Sequence, residues 1–562
     1  MHEPGDTDAF LHTLSRAITK SLHAEWSDAL DLWEQVVADN PLIGWFWVQL
    51  ADAAYHTQEY RRAIAAYQRA LPLGLVGYWQ PMDLGKGFPF DVAYRIACCY
   101  ALIGEQEEAL AWLADAMKRG YRTLSYAQND PDLRTLHDDV RFRELVGLMD
   151  IGTLTRDEGW RADLDLLARQ VKRKGYAPFR FVTEAEFDAA ISTLQEAIPT
   201  FDDVRIFVEF QKLLRLLGDG HSNVSPPDET VELNYTLPLQ LYWFEEGLFI
   251  IAAAPQYAEL VGAEVCKFDG RSISALVEGL EPTISRDNDQ WLKQMVPYRL
   301  RQLPILHALG LIDHLRDVNL SLRLRDGTSR EASLTADLEQ PHSALWNAFQ
   351  VPASWRWLPA TLETPLPHYL QHSGVTYWFE QLPDSRTVYV QFNRVRDDSA
   401  ESLADFTARL FAHIESTGIE RLIIDLRWNN GGNTFLMLPL LYRLIGSPLN
   451  RRGALYVIIG RRTFSAAQNA ATMIEQHTNA IFVGEPTGSS PNSIGEESPI
   501  QLPYSKIWLN VSDLFWQTSW PTDSRTWIAP RIWTPPTFAA YLENRDLALE
   551  AILSNNAHLP NL

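Results

Sequence analysis

Cysteine is scarce in this sequence of 562 residues, which contains only Cys98, Cys99 and Cys266. Two adjacent cysteines and one distant partner give neither a disulfide framework nor the paired spacing of a zinc site. The sequence has no run of about 18 consecutive apolar residues, so it predicts no membrane-spanning helix. The first ten residues lack the basic start and apolar core of a secretory signal. We therefore expect a cytoplasmic, reduced protein with no membrane partner, and an upstream start would leave export open.

Basic residues are in deficit, since 49 Lys and Arg stand against 71 Asp and Glu and give a formal net charge of −22. This balance repels phosphate backbones, so we expect no nucleic-acid partner. The sequence also lacks a glycine-rich loop with the lysine that would cradle nucleotide phosphates. We expect no cofactor and no metal ion. A composition that is 46% hydrophobic, with 19 Trp, is sufficient for three to four packed domains at roughly 100–200 residues each.

The first 150 residues contain an internal repeat. Ala29 and Ala63 lie 34 residues apart, and so do Trp33 and Tyr67. This period and the alternation of small and large residues resemble the tetratricopeptide repeat, an array of helix pairs. A further copy runs from Ala97 to Ala116. Its Ala109 lies 46 residues after Ala63, which predicts an insertion of 12 residues near positions 74–91. Such an array implies a groove that binds a peptide or partner protein, or alternatively a docking or self-association scaffold.

The sequence after the repeats changes pattern twice. Residues 151–228 predict helices and end in the segment LLGDGHSN, whereas residues 229–335 predict short strands. The segment LVGAEVCKFDGRSISALVEGL has the order of a PDZ-like module: an apolar turn, a strand, an Asp-Gly turn and a helix. A PDZ-like groove would accept an extended chain end by strand addition. The alternative is an unrelated small β-domain.

Residues 336–562 predict an α/β core with the order β-α-β-α-β. TVYVQFNRV, RLIIDLR, ALYVIIG and NAIFV are apolar runs of strand length, and those that are continuous are typical of parallel strands buried on both faces. Between the first two runs, Asp398 and Glu401 predict a capping box that opens a helix, and Gly418 predicts its end.

Two turns of this core have the features that acyl transfer requires. Ser465 follows a strand and begins a helix, so its hydroxyl would be exposed and the N–H of Ala466 would point outward at the positive end of the helix dipole. Gly431 and Gly432 follow a neighbouring strand, where residues without side chains would let a substrate carbonyl approach the backbone. Together these groups predict an oxyanion hole formed by Gly431, Gly432 and Ala466.

DLRWNNGG, GRRTFSAA and VGEPTG, in this order and at this spacing, resemble the core of the tail-specific (C-terminal-processing) serine protease family. LLGDGHSN, upstream of them, is similar to the segment that carries a histidine in the tricorn-like branch of that family. The resemblance covers about residues 155–545. It implies a crotonase-like ββα core and a serine nucleophile at Ser465.

The resemblance has one departure. Bacterial members use a lysine 25 residues after the serine, and that position here is Ser490, so a Ser-Lys dyad is excluded. The tricorn-like branch uses a Ser-His-acid arrangement, with the acid about 58 residues after the serine, which is Asp523 here. The resemblance therefore implies Ser465 as nucleophile, His221 as general base and Asp523 as the residue that orients the imidazole. Glu496 and Asp513 are competing acids. Asn393 and Ser490 are further candidates for lining the site.

Three functions remain open at this point. The first is a peptidase acting on peptides or unstructured chains, and the second is an esterase, lactonase or acyl cyclase with the same catalytic groups. The third is a catalytically inactive scaffold that binds peptides. All three share one expected architecture, a multidomain chain with an all-α tetratricopeptide array (1–150), a helical segment (151–228), a PDZ-like β domain (229–335) and a crotonase-like catalytic core (336–562).

Overall fold

The chain forms two compact units in a computed structural model that describes residues 4–74, 89–121, 123–148, 152, 154–227, 231–338, 351–383, 386–497 and 499–554. One unit comprises Met1–Gly159 and Leu502–Ser505, and the other comprises Trp160–Gln501 and Lys506–Leu562. The protein is thus a multidomain chain of helices and sheets. Most of the predicted insertion near positions 74–91 lies outside the described residues. Among the described helices, none has both the length and the apolarity needed to cross a membrane.

The first unit consists of helices that pack on their neighbours in sequence. Ala29, Ala51 and Ala63 are fully buried and allow close approach, while Trp33 and Tyr67 fill the space between helices. Its helices are α1 (Pro4–Leu22), α2 (Trp26–Asp39), α3 (Gly44–His56), α4 (Tyr60–Ala70), α5 (Pro89–Leu102), α6 (Gln106–Lys118), α7 (Leu124–Asn129) and α8 (Val140–Leu145).

The second unit begins with three helices: α9 (Arg156–Lys174, which starts within the first unit), α10 (Glu184–Ala197) and α11 (Asp203–Arg215). Thr183 and Glu186 form a capping box at the start of α10, and the Asp202 carboxylate caps α11. After α11 the chain turns at Gly218, whose φ of 73° is in the left-handed region. The chain then passes through the Gly-Asp-Gly-His loop into strand β1 (Asn223–Ser225). The described part of this segment thus contains three α-helices before its loop.

A mainly antiparallel sheet follows. Its strands are β2 (Leu239–Trp243), β3 (Leu248–Ala253), β4 (Glu264–Phe268), β5 (Arg271–Ser272), β6 (Asp317–Arg323), β7 (Ser329–Thr335) and β8 (Arg356–Trp357). Their order is β2-β3-β4-β6-β7, with β5 on β4 and β8 on β3. The predicted Asp-Gly turn joins β4 to β5, with φ of 43° at Asp269 and 76° at Gly270. Helices α12 (Ile273–Leu280), α13 (Asp289–Arg299) and α14 (Leu303–Ala308) lie between β5 and β6.

The C-terminal region contains a six-stranded sheet and two small ones. Its strands are β9 (Tyr377–Gln381), β10 (Thr387–Phe392), β11 (Arg421–Asp425), β12 (Leu455–Ile459), β13 (Ile481–Gly484), β14 (Asn492–Glu497), β15 (Ile500–Gln501), β16 (Trp508–Asn510), β17 (Ser512–Gln517) and β18 (Ile532–Trp533). The large sheet has the order β18-β13-β12-β11-β10-β9. All of its pairings are parallel except β10 with β9. The four predicted strands of this core are confirmed as β10 to β13.

Helices cover both faces of this sheet. The helices of the region are α15 (His368–Gln371), α16 (Leu403–Thr417), α17 (Leu438–Gly446), α18 (Ala466–His477), α19 (Phe538–Tyr541) and α20 (Leu547–Ser554). Leu422 and Ile424 of β11 pack with α16, α17 and α18 on one face. Ile423, between them in sequence, packs with α20 on the other. Successive side chains of a strand point to opposite faces, so a strand buried on both sides is apolar throughout.

The start of α16 differs from the prediction. Ser402 caps the helix and its hydroxyl accepts from the Asp405 N–H (3.1 Å), so the capping residues lie four positions after Asp398 and Glu401. The Asp398 carboxylate instead accepts from the Thr376 hydroxyl (2.7 Å), and Glu401 pairs with Arg409. The predicted end of the helix is confirmed, because Gly418 has a φ of 66°.

Candidate active site

Ser465 lies on a sharp turn between β12 and α18. Its φ is 53° and its ψ is −129°, a backbone conformation that costs a residue with a side chain about 1–3 kcal/mol. Thr463 stabilises the turn through two hydrogen bonds. Its hydroxyl donates to the Leu426 carbonyl (3.0 Å) and accepts from the Gly460 N–H (3.1 Å). Strain of this kind, fixed by buried hydrogen bonds, is common where a nucleophile must be presented to a substrate.

Gly431 and Gly432 pack directly beside this turn. A Cβ on Gly431 would lie 2.7 Å from Ser465 Cβ and 2.9 Å from the Ala466 nitrogen, and one on Gly432 would lie 2.1 Å from the Val395 carbonyl oxygen. Both positions therefore require glycine. The Gly431 N–H donates to Asn429 Oδ1 (2.9 Å), so it is already engaged. Within the described part of the chain, the N–H groups of Gly432 and Ala466 donate to no acceptor.

His221 is positioned by a loop with several anchors. Asp219 Oδ1 accepts from the N–H groups of His221 (2.9 Å) and Ser222 (2.7 Å), and also from the Ser512 hydroxyl (2.7 Å). The Gly220 N–H donates to Asp287 Oδ1 (2.8 Å). The backbone on both sides of the histidine is therefore fixed, which limits the positions open to the imidazole.

The imidazole of His221 lies between a ring and a backbone. It stacks on the Phe464 ring, with centroids 4.6 Å apart, and a Cβ on Gly495 would meet three of its ring atoms at 3.1–3.3 Å. Neither Nδ1 nor Nε2 has a hydrogen-bond partner among the described residues. Because Phe464 directly precedes Ser465, the residue that supports the imidazole also carries the serine.

A cavity of about 470 Å³ brings four of the predicted residues together. His221, Ser465, Ala466 and Gly432 all line it. Further wall residues are Asn433, Thr434, Phe435, Leu514 and Trp516. The Ser465 hydroxyl is not hydrogen-bonded to His221. This is compatible with a catalytic pair, because such hydrogen bonds are often long without substrate and tighten when it binds.

Asp523 lies elsewhere. Its carboxylate accepts from the Ser519 hydroxyl (2.6 Å) and from Arg525 Nε (3.0 Å), and Arg525 also pairs with Glu475 of α18. These bonds hold the pKa of Asp523 well below its usual range, with Arg525 as the main cause. Since neither nitrogen of His221 has a partner, the structure does not bring Asp523 to the imidazole.

The other candidate residues divide between the cavity and the interior. Glu496 lines the cavity with His221, and Asp513 is buried. Asn393 is held by the carbonyls of Val375 (2.9 Å) and His372 (3.4 Å) and is not among the cavity residues. The Ser490 hydroxyl donates to the Thr526 carbonyl (3.3 Å), and Ser490 does not line the cavity either.

Sequence reasoning missed four residues that build this site: Asn429, Phe464, Gly495 and Asp287. The Asn429 side chain donates to the Phe392 carbonyl and accepts from Gly431, so it ties the glycine pair to β10. Asn429 and Phe464 belong to the motifs WNNGG and RRTFS. An asparagine and a phenylalanine beside such turns could have been predicted to stabilise them. Gly495 and Asp287 gave no local signal, because only the folded chain brings them to His221 and Gly220.

One cluster in the first unit has the composition of a metal site. The ligand atoms of Cys98, Asp130 and Asp132 lie within 4.8 Å of one another. The carboxylates are already engaged, however, since Tyr94 donates to Asp130 (2.7 Å) and Tyr55 donates to Asp132. Burial raises the pKa of the Cys98 thiol and keeps it protonated. These contacts describe a satisfied polar core, so we assign the cluster no metal.

Comparison with known proteins gives the following similarities. No protein-family model matches the sequence. A chloroplastic protein of Arabidopsis thaliana is 34% identical over 58 residues, which is 10% of this chain and 17% of that protein's length.

Three solved structures are similar in chain arrangement at low sequence identity. Mature CPAF complexed with lactacystin is 14% identical, with 71% of this chain and 97% of that chain covered and a TM-score of 0.48. The photosystem II D1 C-terminal processing protease is 13% identical (68% and 94% covered, TM-score 0.33). The tricorn protease is 11% identical (71% and 37% covered, TM-score 0.32). Identities and TM-scores this low do not establish a function, so the geometry of the site is the basis for the function proposed below.

Proposed function

We propose that this protein is a serine peptidase in which Ser465 is the nucleophile and His221 is the general base. The observation that supports this most directly is the strained serine at the N-terminus of α18, which shares a cavity with a histidine whose two ring nitrogens have no partner within the described chain. A serine hydroxyl is a weak nucleophile until a base of near-neutral pKa removes its proton, and histidine meets that requirement.

The reaction follows from the positions of these groups. Ser465 Oγ attacks the scissile carbonyl while His221 takes the hydroxyl proton. The N–H groups of Gly432 and Ala466 then bind the oxyanion of the tetrahedral intermediate, and the helix dipole of α18 favours the same charge. His221 returns the proton to the leaving amine, and water hydrolyses the acyl-enzyme by the same sequence of transfers. The N–H of Gly431 donates to Asn429 and is not available to the oxyanion. The role of Gly431 is to leave room for the substrate, because it has no side chain.

The substrate class proposed is a peptide or an unstructured protein chain. The cavity wall combines apolar side chains (Phe435, Leu514 and Trp516) with polar ones, which suits a peptide segment with an apolar side chain beside the scissile bond. We assign the finer architecture in the same way: a tetratricopeptide array in the first unit that holds a partner protein, a PDZ-like β domain and a crotonase-like catalytic core.

The test is covalent labelling of the purified protein with a fluorophosphonate probe. We expect labelling of the wild type and none of Ser465→Ala or His221→Ala. His477→Ala is the matched control, because this histidine is exposed at the far end of α18, and it should label as the wild type does. Labelling that persists in Ser465→Ala would disprove the assignment of the nucleophile. A peptide-library digest beside a set of simple esters then separates a peptidase from an esterase.

The same assay tests the role of Asp523. Because its carboxylate is engaged by Ser519 and Arg525, we expect Asp523→Asn to label at close to the wild-type rate. A loss of labelling as complete as that of His221→Ala, in a folded variant, would instead return Asp523 to the catalytic set.

A further inference from the structure

A second cavity, of about 550 Å³, lies behind the histidine loop. Gly220 and Trp291 belong to its wall, whereas His221, the next residue after Gly220, lines the catalytic cavity. The Trp291 ring stacks on Phe464, with centroids 4.1 Å apart, and Phe464 stacks in turn on His221. Ser465 is not part of this wall. The size is within the range of roughly 300–1,000 Å³ that is usual for small-molecule sites.

One wall residue of this cavity carries a formal charge. Among the described residues that line it, Arg299 is the single ionised group and there is no carboxylate. The charge is met by neutral amides. Arg299 Nη1 donates to Gln302 Oε1 (2.9 Å), and the Gln211 amide, turned so that its oxygen faces the guanidinium, lies 3.2 Å from both Nη atoms.

The guanidinium of Arg299, which is partly buried, therefore has amide acceptors but no anionic partner among the described residues. Its Nε has no acceptor among the described residues, and the oxygens that meet its Nη groups belong to amides and not to a carboxylate. Burial lowers the pKa of Arg299, which shows that the surroundings disfavour the charged form. A partly buried cation without a counter-charge is less stable than a paired one, and a bound anion would supply that counter-charge. Arginine is also suited to bidentate pairing with a carboxylate.

The rest of the wall defines what accompanies the anion. Phe207, Leu233, Ile284, Met295 and Ile305 give the cavity an apolar part, and Asn223, Ser225, Ser285 and Asn510 give it a polar part. A ligand with an aliphatic body and one carboxylate satisfies both. We propose that this cavity binds an aliphatic carboxylate through Arg299. The ligand is either the chain end of a peptide with an apolar last residue or a free carboxylic acid.

The experiment is isothermal titration calorimetry on full-length Ser465→Ala protein, in which a peptide probe cannot be cleaved by the proposed nucleophile. The probes are acetyl-Ala-Ala-Leu with a free carboxylate, the same peptide as its amide, and 4-methylpentanoate. We expect at least one of the two acids to bind, and the amide to bind at least tenfold more weakly than its acid, because only the acid offers the guanidinium a charged acceptor. Tighter binding of the peptide acid assigns the site to chain ends, and tighter binding of 4-methylpentanoate assigns it to free acids.

Three variants test whether the acids bind in this cavity. Arg299→Gln should weaken the acids at least tenfold, and Ser285→Phe, which places a ring in the cavity but keeps the arginine, should abolish binding. Arg271→Gln is the control, because Arg271 is exposed on β5 and outside the cavity. Thermal melts establish that each variant is folded. Equal affinity for acid and amide, no binding of either acid, or undiminished binding in folded Arg299→Gln or Ser285→Phe would overturn the proposal. None of these outcomes depends on whether Ser465 is catalytic.

Discussion

At the scale of single residues, the position of the His221 imidazole, the proposed base, depends on a neighbour that has no side chain. Gly495 approaches the imidazole so closely that an added Cβ would lie 3.1 Å from its Cε1 and 3.3 Å from each nitrogen. The backbone of Gly495 is not in the left-handed region, so alanine there is disfavoured by contact alone. The imidazole, rather than the strand, must move by a few tenths of an ångström.

We expect Gly495→Ala to fold and to label with the fluorophosphonate about tenfold more slowly than the wild type, because sub-ångström misplacement of a catalytic group is costly. Gly446→Ala is the matched control, since a Cβ at Gly446 would meet nothing within 4 Å. The measurement is the second-order labelling rate beside a thermal melt. A Gly495→Ala protein that labels at the wild-type rate would show that this contact does not set the position of the base.

The residues that could be predicted from sequence are those whose role is local. Ser465 and the glycine pair lie in the short turns that follow β12 and β11, so their position at the carboxyl end of the sheet could be predicted from the chain itself. The prediction of Asp523 rests on its distance in sequence from Ser465, and this distance does not determine where a loop side chain points. The structure shows that Arg525, two residues later, holds that carboxylate. The acid partner could therefore not be derived without the fold.

At the scale of elements, a buried ion cluster joins the end of β11 to the start of α20. Arg427 makes two bonds to Asp546 (3.0 and 2.8 Å) and also pairs with Asp425 (2.8 Å). Both carboxylates are almost fully buried, and Tyr389 donates to Asp425 (2.7 Å). Asp546 in addition accepts from N–H groups in the first turn of α20. The cluster thus fixes the helix that covers one face of the sheet.

Arg427→Met should destabilise the second unit by about 3–5 kcal/mol, because it leaves two buried carboxylates without their cation. Arg443→Met is the matched control: Arg443 pairs with Glu415 on the surface, and the loss should be below about 1 kcal/mol. Urea denaturation followed by circular dichroism measures both. A free energy of unfolding for Arg427→Met within error of the control would contradict the expectation.

Two loops of the site are connected through one carboxylate. Asp287 accepts from the Gly220 N–H of the histidine loop and from Ser489 and the Ser490 N–H (3.2 Å) of the loop after β13. Burial raises the pKa of Asp287 above its ordinary value of 3.8, while the Ser489 hydroxyl acts in the opposite direction. A raised pKa means that the folded state binds the proton more tightly than the unfolded chain does. This contribution to stability is therefore complete below pH 3.8 and is lost as the pH rises through the folded pKa.

Asp287→Asn should remove that dependence. The variant has a constant offset, since an amide has one accepting oxygen and cannot serve both Gly220, on one side, and Ser489 with the Ser490 N–H, on the other. Its stability relative to the wild type should nevertheless improve as the pH rises from about 4 to about 7. Denaturation midpoints of both proteins across this range provide the test. A difference between the two curves that stays flat, or that changes with the opposite sign, would refute a raised pKa at Asp287.

The elements also show where pattern reading succeeds. Strands β10 to β13 were predictable because burial on both faces demands continuous apolar runs. The cap of α16 was misplaced because Asp398–Glu401 and Ser402–Asp405 are both acid-containing capping patterns four residues apart. Tertiary contacts decide between them, since the Asp398 carboxylate is bound by Thr376, from the segment before β9.

At the scale of the whole molecule, the site is assembled from segments that are far apart in sequence. His221 precedes the antiparallel sheet, Trp291 follows most of it, and Phe464 belongs to the C-terminal core. Their rings form one stack, with centroid distances of 4.6 Å and 4.1 Å. Asn288, at the start of α13, reinforces the same junction, because its amide donates to the carbonyls of Thr526 (2.6 Å) and Thr487 (3.2 Å). Trp291 therefore supports the imidazole of His221 through Phe464.

Trp291, which is buried, forms one end of this ring stack. Trp291→Ala should destabilise the second unit by about 3–5 kcal/mol through the cavity it leaves. It should also slow fluorophosphonate labelling about tenfold, because Phe464 and His221 lose their backing. Trp291→Phe keeps a ring in the stack and should recover most of the labelling rate. If the indole N–H were the part of Trp291 that matters, Trp291→Phe would label as slowly as Trp291→Ala. Trp520→Ala, at an indole that is 73% exposed, should change neither quantity. If folded Trp291→Ala labelled as fast as the wild type, the imidazole would be held without help from Trp291, and α13 would have no part in positioning it.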